Sequence, residues 1–181
     1  MQLSAMGIPK IHLIDFDKVE TVNLAPQGYR EADLGRYKVF ATQEACQELN
    51  SDILIGTINE RFKRSMNVKD VVFCCVDSIT TRKSIWEACE FNTQFFCDGR
   101  MSAEVLRVLC AHDYDSKKHY NTTFFQPEEA HQGACTAKST IYSSNIIAGL
   151  MIAQFTRWLR QLPVDLDLSL NLLTSELTVK D

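Results

Sequence analysis

The sequence predicts an α/β fold, a three-layer domain built on a mostly parallel sheet. Three observations lead there. Segments of strand length alternate with segments of helical spacing through the 181 residues, residues 71–76 form an unbroken apolar run, and the strand-like IHLI ends in Asp15, Phe16 and Asp17. A continuous apolar run marks a strand covered on both faces. An acid just beyond a parallel strand stands where such sheets bind ligands, and it can accept hydrogen bonds from both hydroxyls of a ribose.

Taken in order, residues 2–6 read as the tail of a helix closed by Gly7, with Pro9 just beyond, and residues 10–14 as a strand. Residues 34–49 carry Leu34, Val39, Ala41, Ala45, Cys46 and Leu49 at roughly helical spacing, with Asp33 placed to cap them. Residues 52–58 give a second strand and 59–65 a polar turn or short helix. The apolar run 71–76 leads to Asp77, and Ser78 and Ile79 enter a helix over 80–92. A short strand, 95–97, ends at Asp98, Gly99 and Arg100, and a longer one covers 104–112. Residues 113–133 are polar and read as a crossover or lid. The longest helix spans 139–162, with Ile147, Met151, Phe155, Trp158 and Leu159 along one face. Gly149 and the alanines near it predict close packing against another element, and residues 168–179 suit a terminal hairpin. No repeat or linker interrupts the pattern, so one domain over 1–181 is expected.

Composition excludes several functions. With 45% hydrophobic residues and a formal charge of −4, the chain has core material but no excess of basic residues for nucleic acid. Its longest apolar run, 146–153, is interrupted by Gly149 and is too short to cross a bilayer. No basic stretch, apolar run and small-residue cleavage site follow Met1, so a cytoplasmic location is expected. Seven cysteines, an odd number, point to reduced thiols rather than a disulfide framework. The only close pair, Cys74 and Cys75, would point to opposite faces of a strand. His112, His119 and His131 lack ligand spacing, so no zinc is expected.

An acid at a strand tip usually works with a glycine-rich turn about 20 residues upstream. Here the sole glycine before Asp15 is Gly7, so the chain reads as a nucleotide-binding domain that begins after its first strand and phosphate loop.

The segments LIDFDKVETVNLAPQGY, DLGRYKV, VVFCCVDSITTR, DGRM and GACTAKSTIYSSNIIAGLMIAQFTRWLR resemble, in that order, the ThiF/MoeB/HesA family of adenylating enzymes related to ubiquitin-activating enzymes. The bacterial ThiF-like branch is the most similar. The resemblance implies a Rossmann-like domain that uses ATP and magnesium to adenylate the C-terminal glycine carboxylate of a ubiquitin-like or sulfur-carrier protein, as a homodimer or heterodimer. Carried over by position, Asp15 holds the ribose, Asn23 lies beside the phosphates, Lys38 reaches them and Asp77 holds magnesium. A lysine suits that task as a flexible point charge, and magnesium prefers hard oxygen ligands. Asp17, Gln27, Ser78 and Arg82 fall in the same nucleotide-binding segments, which are expected to converge above the sheet. Cys135, in GACTAKST, resembles the acceptor cysteine that some members use to form a thioester from the adenylate. A nearby helix N-terminus and Lys138 would favour its thiolate.

Two departures bear on activity, the glycine-rich loop not seen before Asp15 and a missing arginine. The family pattern N-L-x-R-Q has an arginine on phosphate where this chain has Pro26. A non-catalytic partner subunit of an adenylating heterodimer is therefore a second reading, and a nicotinamide-binding Rossmann protein a third. Single residues also have plainer roles: Asp17 capping a turn, Lys38 as a solvated helix residue, Asp77 as a helix cap and Cys135 as an inert thiol. Arg100 either faces the site or pairs with Asp98 or Glu104.

Overall fold

The computed structural model describes residues 1–68, 70–125 and 140–180. They form two compact units, Met1–Phe62 and Lys63–Asp181.

The first unit runs α1 (Gln2–Ala5), β1 (Lys10–Ile14), α2 (Thr21–Gln27), a 3-10 turn (Glu31–Asp33), α3 (Lys38–Leu49) and β2 (Leu54–Ile58). The strands pair in parallel, Lys10 opposite Leu54 and Ile14 opposite Ile58. Parallel neighbours need a crossover, and α3 provides it, burying Val39, Ala41 and Cys46. Ser4 Oγ donates to the Cys46 carbonyl at 2.6 Å and ties α1 to the crossover helix.

Two expectations change in this unit. The helix expected over 34–49 begins at Lys38, because Gly35 adopts a φ of +78° and Tyr37 is extended. Leu34 is left exposed, and Asp33 does not cap α3 but the 3-10 turn before it, its Oδ2 accepting the Arg30 N–H at 3.1 Å. Asp33 is buried between Arg30 and Arg36. The segment TVNLAPQ, read only as a motif, is a short helix. Asn23 Oδ1 accepts the Glu20 N–H at 3.0 Å at its start, and Gly28, at φ +70°, closes it. Pro26 removes one donor near the end of this helix, which ends one residue later.

The second unit contains β3 (Asp70–Cys74), α4 (Ile79–Cys89), β4 (Thr93–Ser102), β5 (Val105–Ala111), α5 (Tyr114–Asn121), α6 (Ile141–Leu159), β6 (Asp167–Asn171) and β7 (Glu176–Lys180). Its sheet has the order β3-β4-β5-β6-β7. β3 and β4 are parallel, and the remaining pairs are antiparallel. The α/β class and three layers hold, while the mostly parallel sheet gives way here to a mixed one. The hairpin expected at the C-terminus is present as β6 and β7.

Adjacent residues of β4 show the layering. Phe95 packs on Phe155 and Trp158 of α6, at ring separations of 5.6 and 5.3 Å. Phe96 meets Trp86 of α4 at 5.0 Å and Tyr120 of α5 at 5.1 Å. Successive strand residues face opposite ways, so α6 covers one face and α4 with α5 the other. Each buried aromatic contributes about 1.5–3 kcal/mol.

β4 is much longer than the expected 95–97. Asp98-Gly99 suggests a turn, yet antiparallel pairing with β5 keeps the chain extended as far as Ser102 opposite Val105. The turn comes at Ala103, with φ +52°. Gly99 serves packing: a Cβ there would lie 2.5 Å from Met151 Sδ of α6. At Gly149, expected at the close approach, an added Cβ would meet nothing within 4 Å outside its own helix backbone among the described residues. Leu159 also leaves the predicted buried face and is exposed. The start of the expected crossover is α5, whose first turn is capped by Asp113 Oδ1 accepting from Ser116 N–H at 2.8 Å. Tyr120 anchors this helix in the core.

Candidate functional site

In the first unit, the chain leaving β1 runs antiparallel to the chain entering α3. Lys38 N–H donates to the Asp17 carbonyl at 2.8 Å, Val19 N–H to Arg36 at 2.8 Å, and Gly35 N–H to Val19 at 2.9 Å. This backbone ladder brings a strand-tip acid and a first-turn lysine together. Asp15 Oδ1 accepts the Asp17 N–H at 2.8 Å, fixing the bend after the strand. Lys38 Nζ lies 3.2 Å from Asp17 Oδ2. The Lys38 side chain is only 13% exposed, so it is not the solvated helix residue that its position alone allows.

Asp15, Tyr29, Lys38 and Thr42 line one hollow, floored by Leu13, Ile14 and Val39. Tyr29 OH and Thr42 Oγ1 are 3.1 Å apart. Burial raises the Tyr29 pKa, so its hydroxyl stays protonated and able to donate. Neither residue was assigned a role from sequence. Thr42 lies one helical turn after Lys38, and that spacing places both on one face of α3. The hollow measures about 140 Å³, well below the roughly 300–1,000 Å³ of ordinary ligand pockets. It has room for a sugar or a phosphate rather than a whole nucleotide.

Asn23 and Gln27 lie on α2. The Asn23 side chain is engaged by the Glu20 N–H, and Gln27 is exposed at the helix end. Neither lines the hollow.

In the second unit, Asp77 and Ser78 follow β3. Ser78, not Asp77, is the cap of α4, its Oγ accepting Thr81 N–H at 3.3 Å. Asp77 is exposed and has no partner among the described residues. A free hard-oxygen carboxylate fits magnesium, which binds through one or two carboxylates together with substrate phosphates. Among the described residues no three His, Cys, Asp or Glu side chains form an all-protein metal cluster.

Arg82 turns inward. It is 5% exposed and forms a buried ion pair with Asp98. Asp98, fully buried on β4, also accepts from Arg100 Nε at 2.8 Å and Tyr120 OH at 2.9 Å. Arg100 completes its fork on Thr123, with 2.8 Å to the carbonyl and 3.0 Å to Oγ1. The ion-pair reading of Arg100 therefore holds, and Arg82 has the same anchor. No local pattern signals this centre, because Asp98-Gly99 resembles a turn.

Cys135 lies outside the described residues. Of the thiols seen, Cys74 is pushed up to about 11 by burial, and burial also raises Cys89 and Cys97. These are inert packing groups. Among the described residues no helix is long and apolar enough to cross a membrane.

A family model described as "ThiF family" matches residues 1–175. Adenylyltransferase and sulfurtransferase MOCS3 of Dictyostelium discoideum is 28% identical over 133 residues, covering 70% of this chain and 31% of that protein. Ubiquitin-like modifier-activating enzyme 5 of Mus musculus is 31% identical over 117 residues, covering 55% and 29%. The chain thus spans about a third of the length of these curated relatives. Among solved structures, PaaA superimposes with a TM-score of 0.75 at 17% identity, covering 99% of this chain and 67% of that one. E. coli MccB solved with ATP gives 0.71 at 16% identity, covering 99% and 58%. At these identities the superpositions establish the shared fold.

Proposed function

Because this chain belongs to the ThiF family, we propose that it serves ATP-dependent adenylation of the C-terminal carboxylate of a ubiquitin-like or sulfur-carrier protein. One observation carries the reading: Asp15 and Lys38 line a single hollow beyond the carboxyl end of β1. An acid that takes ribose hydroxyls and a shielded cation for phosphate oxygens are what a nucleotide site needs there. The relatives named as adenylyltransferase and as modifier-activating enzyme agree with that chemistry.

In the proposed reaction a carboxylate oxygen of the carrier attacks the α-phosphorus of ATP. The bond to the bridging oxygen breaks, pyrophosphate leaves with that electron pair, and an acyl-adenylate remains. No proton has to move, so the chain's work is positioning and charge stabilisation. Asp15 orients the ribose, with Tyr29 and Thr42 as neighbouring hydroxyls, and Lys38 offsets charge on the phosphate oxygens. Asp17 trims the direction of the Lys38 ammonium, which the backbone already presents to the hollow. Asp77 would hold magnesium, which when bound neutralises phosphate charge. Asn23, Gln27 and Ser78 are assigned to nucleotide binding by the family resemblance, and Cys135 to a following thioester step. The buried pairing of Arg82 with Asp98 supports a fold-fixing role for that arginine over a phosphate contact.

The test is ATP–pyrophosphate exchange by the full protein that carries this chain, with a carrier ending in Gly-Gly. Exchange that depends on Asp15 and Lys38 supports the proposal, and its absence sinks it. One observation favours a second reading, a non-catalytic partner subunit: Pro26 stands where the family carries a phosphate-binding arginine. That reading predicts no exchange by the protein alone and restored exchange in a complex with an active family member, unaffected by Lys38→Ala in this chain.

A further inference from the structure

The residue after Asp15 extends the site beyond its hollow. Phe16 is 41% exposed, and the guanidinium carbon of Arg61 stands over its ring, 3.9 Å from the centroid. Phe16 follows β1 and Arg61 follows β2. The two strands stay paired to their tips, where Asp15 N–H donates to the Ile58 carbonyl at 3.2 Å. The ring and guanidinium therefore lie beyond the carboxyl ends of the parallel strands, and Phe16 is the next residue after the proposed ribose acid.

A hollow of about 140 Å³ takes the sugar or a phosphate and leaves a base outside. The base is attached to the ribose that Asp15 would hold, so it must lie within a few bonds of that carboxylate. Nucleobases stack on aromatic rings and on guanidinium planes. A guanidinium is planar and can stack on a base, and its N–H groups can reach an acceptor such as purine N7. The unit's other cation over a ring among the described residues, Lys18 at 4.9 Å from Tyr37, carries a tetrahedral ammonium that has no face to stack.

We infer that Arg61, placed over the Phe16 ring, is the base-stacking residue of this nucleotide site and gives it a preference for purine over pyrimidine nucleotides. The two fused rings of a purine cover the guanidinium more fully than one. This inference rests on the nucleotide-site reading proposed above.

The experiment is calorimetric titration of the full protein with ATP, CTP and inorganic tripolyphosphate, comparing wild type with Arg61→Ala, Arg61→Lys and Asp15→Asn. Arg61 is exposed, so its replacement leaves the fold intact. The expected result is that Arg61→Ala weakens ATP roughly tenfold, erases the preference for ATP over CTP and leaves tripolyphosphate unchanged, with Arg61→Lys no better. Equal losses for ATP and tripolyphosphate, restored by lysine, would identify a phosphate contact and overturn the inference. ATP binding lost in Asp15→Asn but unchanged in Arg61→Ala overturns it while leaving the nucleotide site standing. Wild-type protein that binds no ATP overturns both.

Discussion

Lys38 Nζ stands 3.2 Å from Asp17 Oδ2 across 21 residues of sequence, and the backbone makes that contact before the charges do. The Lys38 N–H is already bonded to the Asp17 carbonyl. The lysine is therefore presented to the hollow by the chain path, and Asp17 only trims its direction.

This arrangement separates two substitutions. Lys38→Ala removes the cation that would face developing phosphate charge, and we expect exchange to fall by about 10²–10³. Asp17→Asn keeps both backbone bonds and removes a carboxylate whose side chain is 47% exposed. An ion pair that open to water is worth little, so exchange should stay within about tenfold of wild type. Equal losses in the two variants would mean that the pair, not the lysine, is what matters.

Asp98 makes the opposite case, a charge with no water. It faces the guanidinium groups of Arg82 and Arg100 and the Tyr120 hydroxyl. Asp98→Asn leaves two cations beside a neutral amide, and removing one partner of a buried pair costs about 3–5 kcal/mol. Tyr120→Phe removes one hydrogen bond to a charged group and should cost about 1.5–3 kcal/mol. Urea unfolding of the two variants measures both. A loss below about 1 kcal/mol for Asp98→Asn would show that the network is relaxed by solvent.

These particulars show what a sequence can announce. The strand tip at Asp15 and a strand before Asp77 were legible because apolar runs ending in acids are local patterns, although that strand ends at Cys74 and leaves Cys75 exposed. Lys38 emerged from family resemblance, but its meeting with Asp17 depends on a ladder between segments that no local periodicity reveals. The extent of β4 was hidden for a similar reason. Asp98-Gly99 has turn chemistry, and only pairing with β5 makes the segment a strand. The pairing of Arg82 was equally hidden, because its partner Asp98 lies 16 residues away on another element. The helix at Thr21–Gln27 was masked by Pro26, tolerated because the helix is short and nearly over.

Gly99 tests the packing that replaced the expected turn. An added methyl group would lie 2.5 Å from Met151 Sδ and 3.4 Å from Ile147 Cδ1. Methionine is flexible and can swing away, so Gly99→Ala should destabilise by about 1–3 kcal/mol, the usual cost of overpacking, without abolishing folding. Combining Gly99→Ala with Met151→Ala should cost less than the sum of the two single changes, since each removes the other's problem. Strict additivity in thermal unfolding would mean that α6 and β4 do not meet at this point.

Asp33 is 3% exposed and receives Arg30 Nε at 3.1 Å and Arg36 Nη1 at 2.9 Å. Hydrogen bonding from Arg30 above all holds its carboxyl below the usual carboxylate range, against burial, which acts to raise it. A folded-state pKa below the unfolded one means that the stabilisation is complete above the unfolded value, about 4. It is lost as pH falls through the folded value, because the unfolded chain takes up its proton first and the folded carboxylate must then be protonated against its arginines. Asp33→Asn never had that contribution. The variant should therefore melt below wild type at pH 7, and the gap should narrow as the pH is lowered from about 4 toward 2. Glu44, held low chiefly by Arg36 but largely exposed, should give a much smaller effect as Glu44→Gln. If the difference in thermal midpoint between wild type and Asp33→Asn stays constant or widens across this range, Asp33 acts through packing and not through its charge.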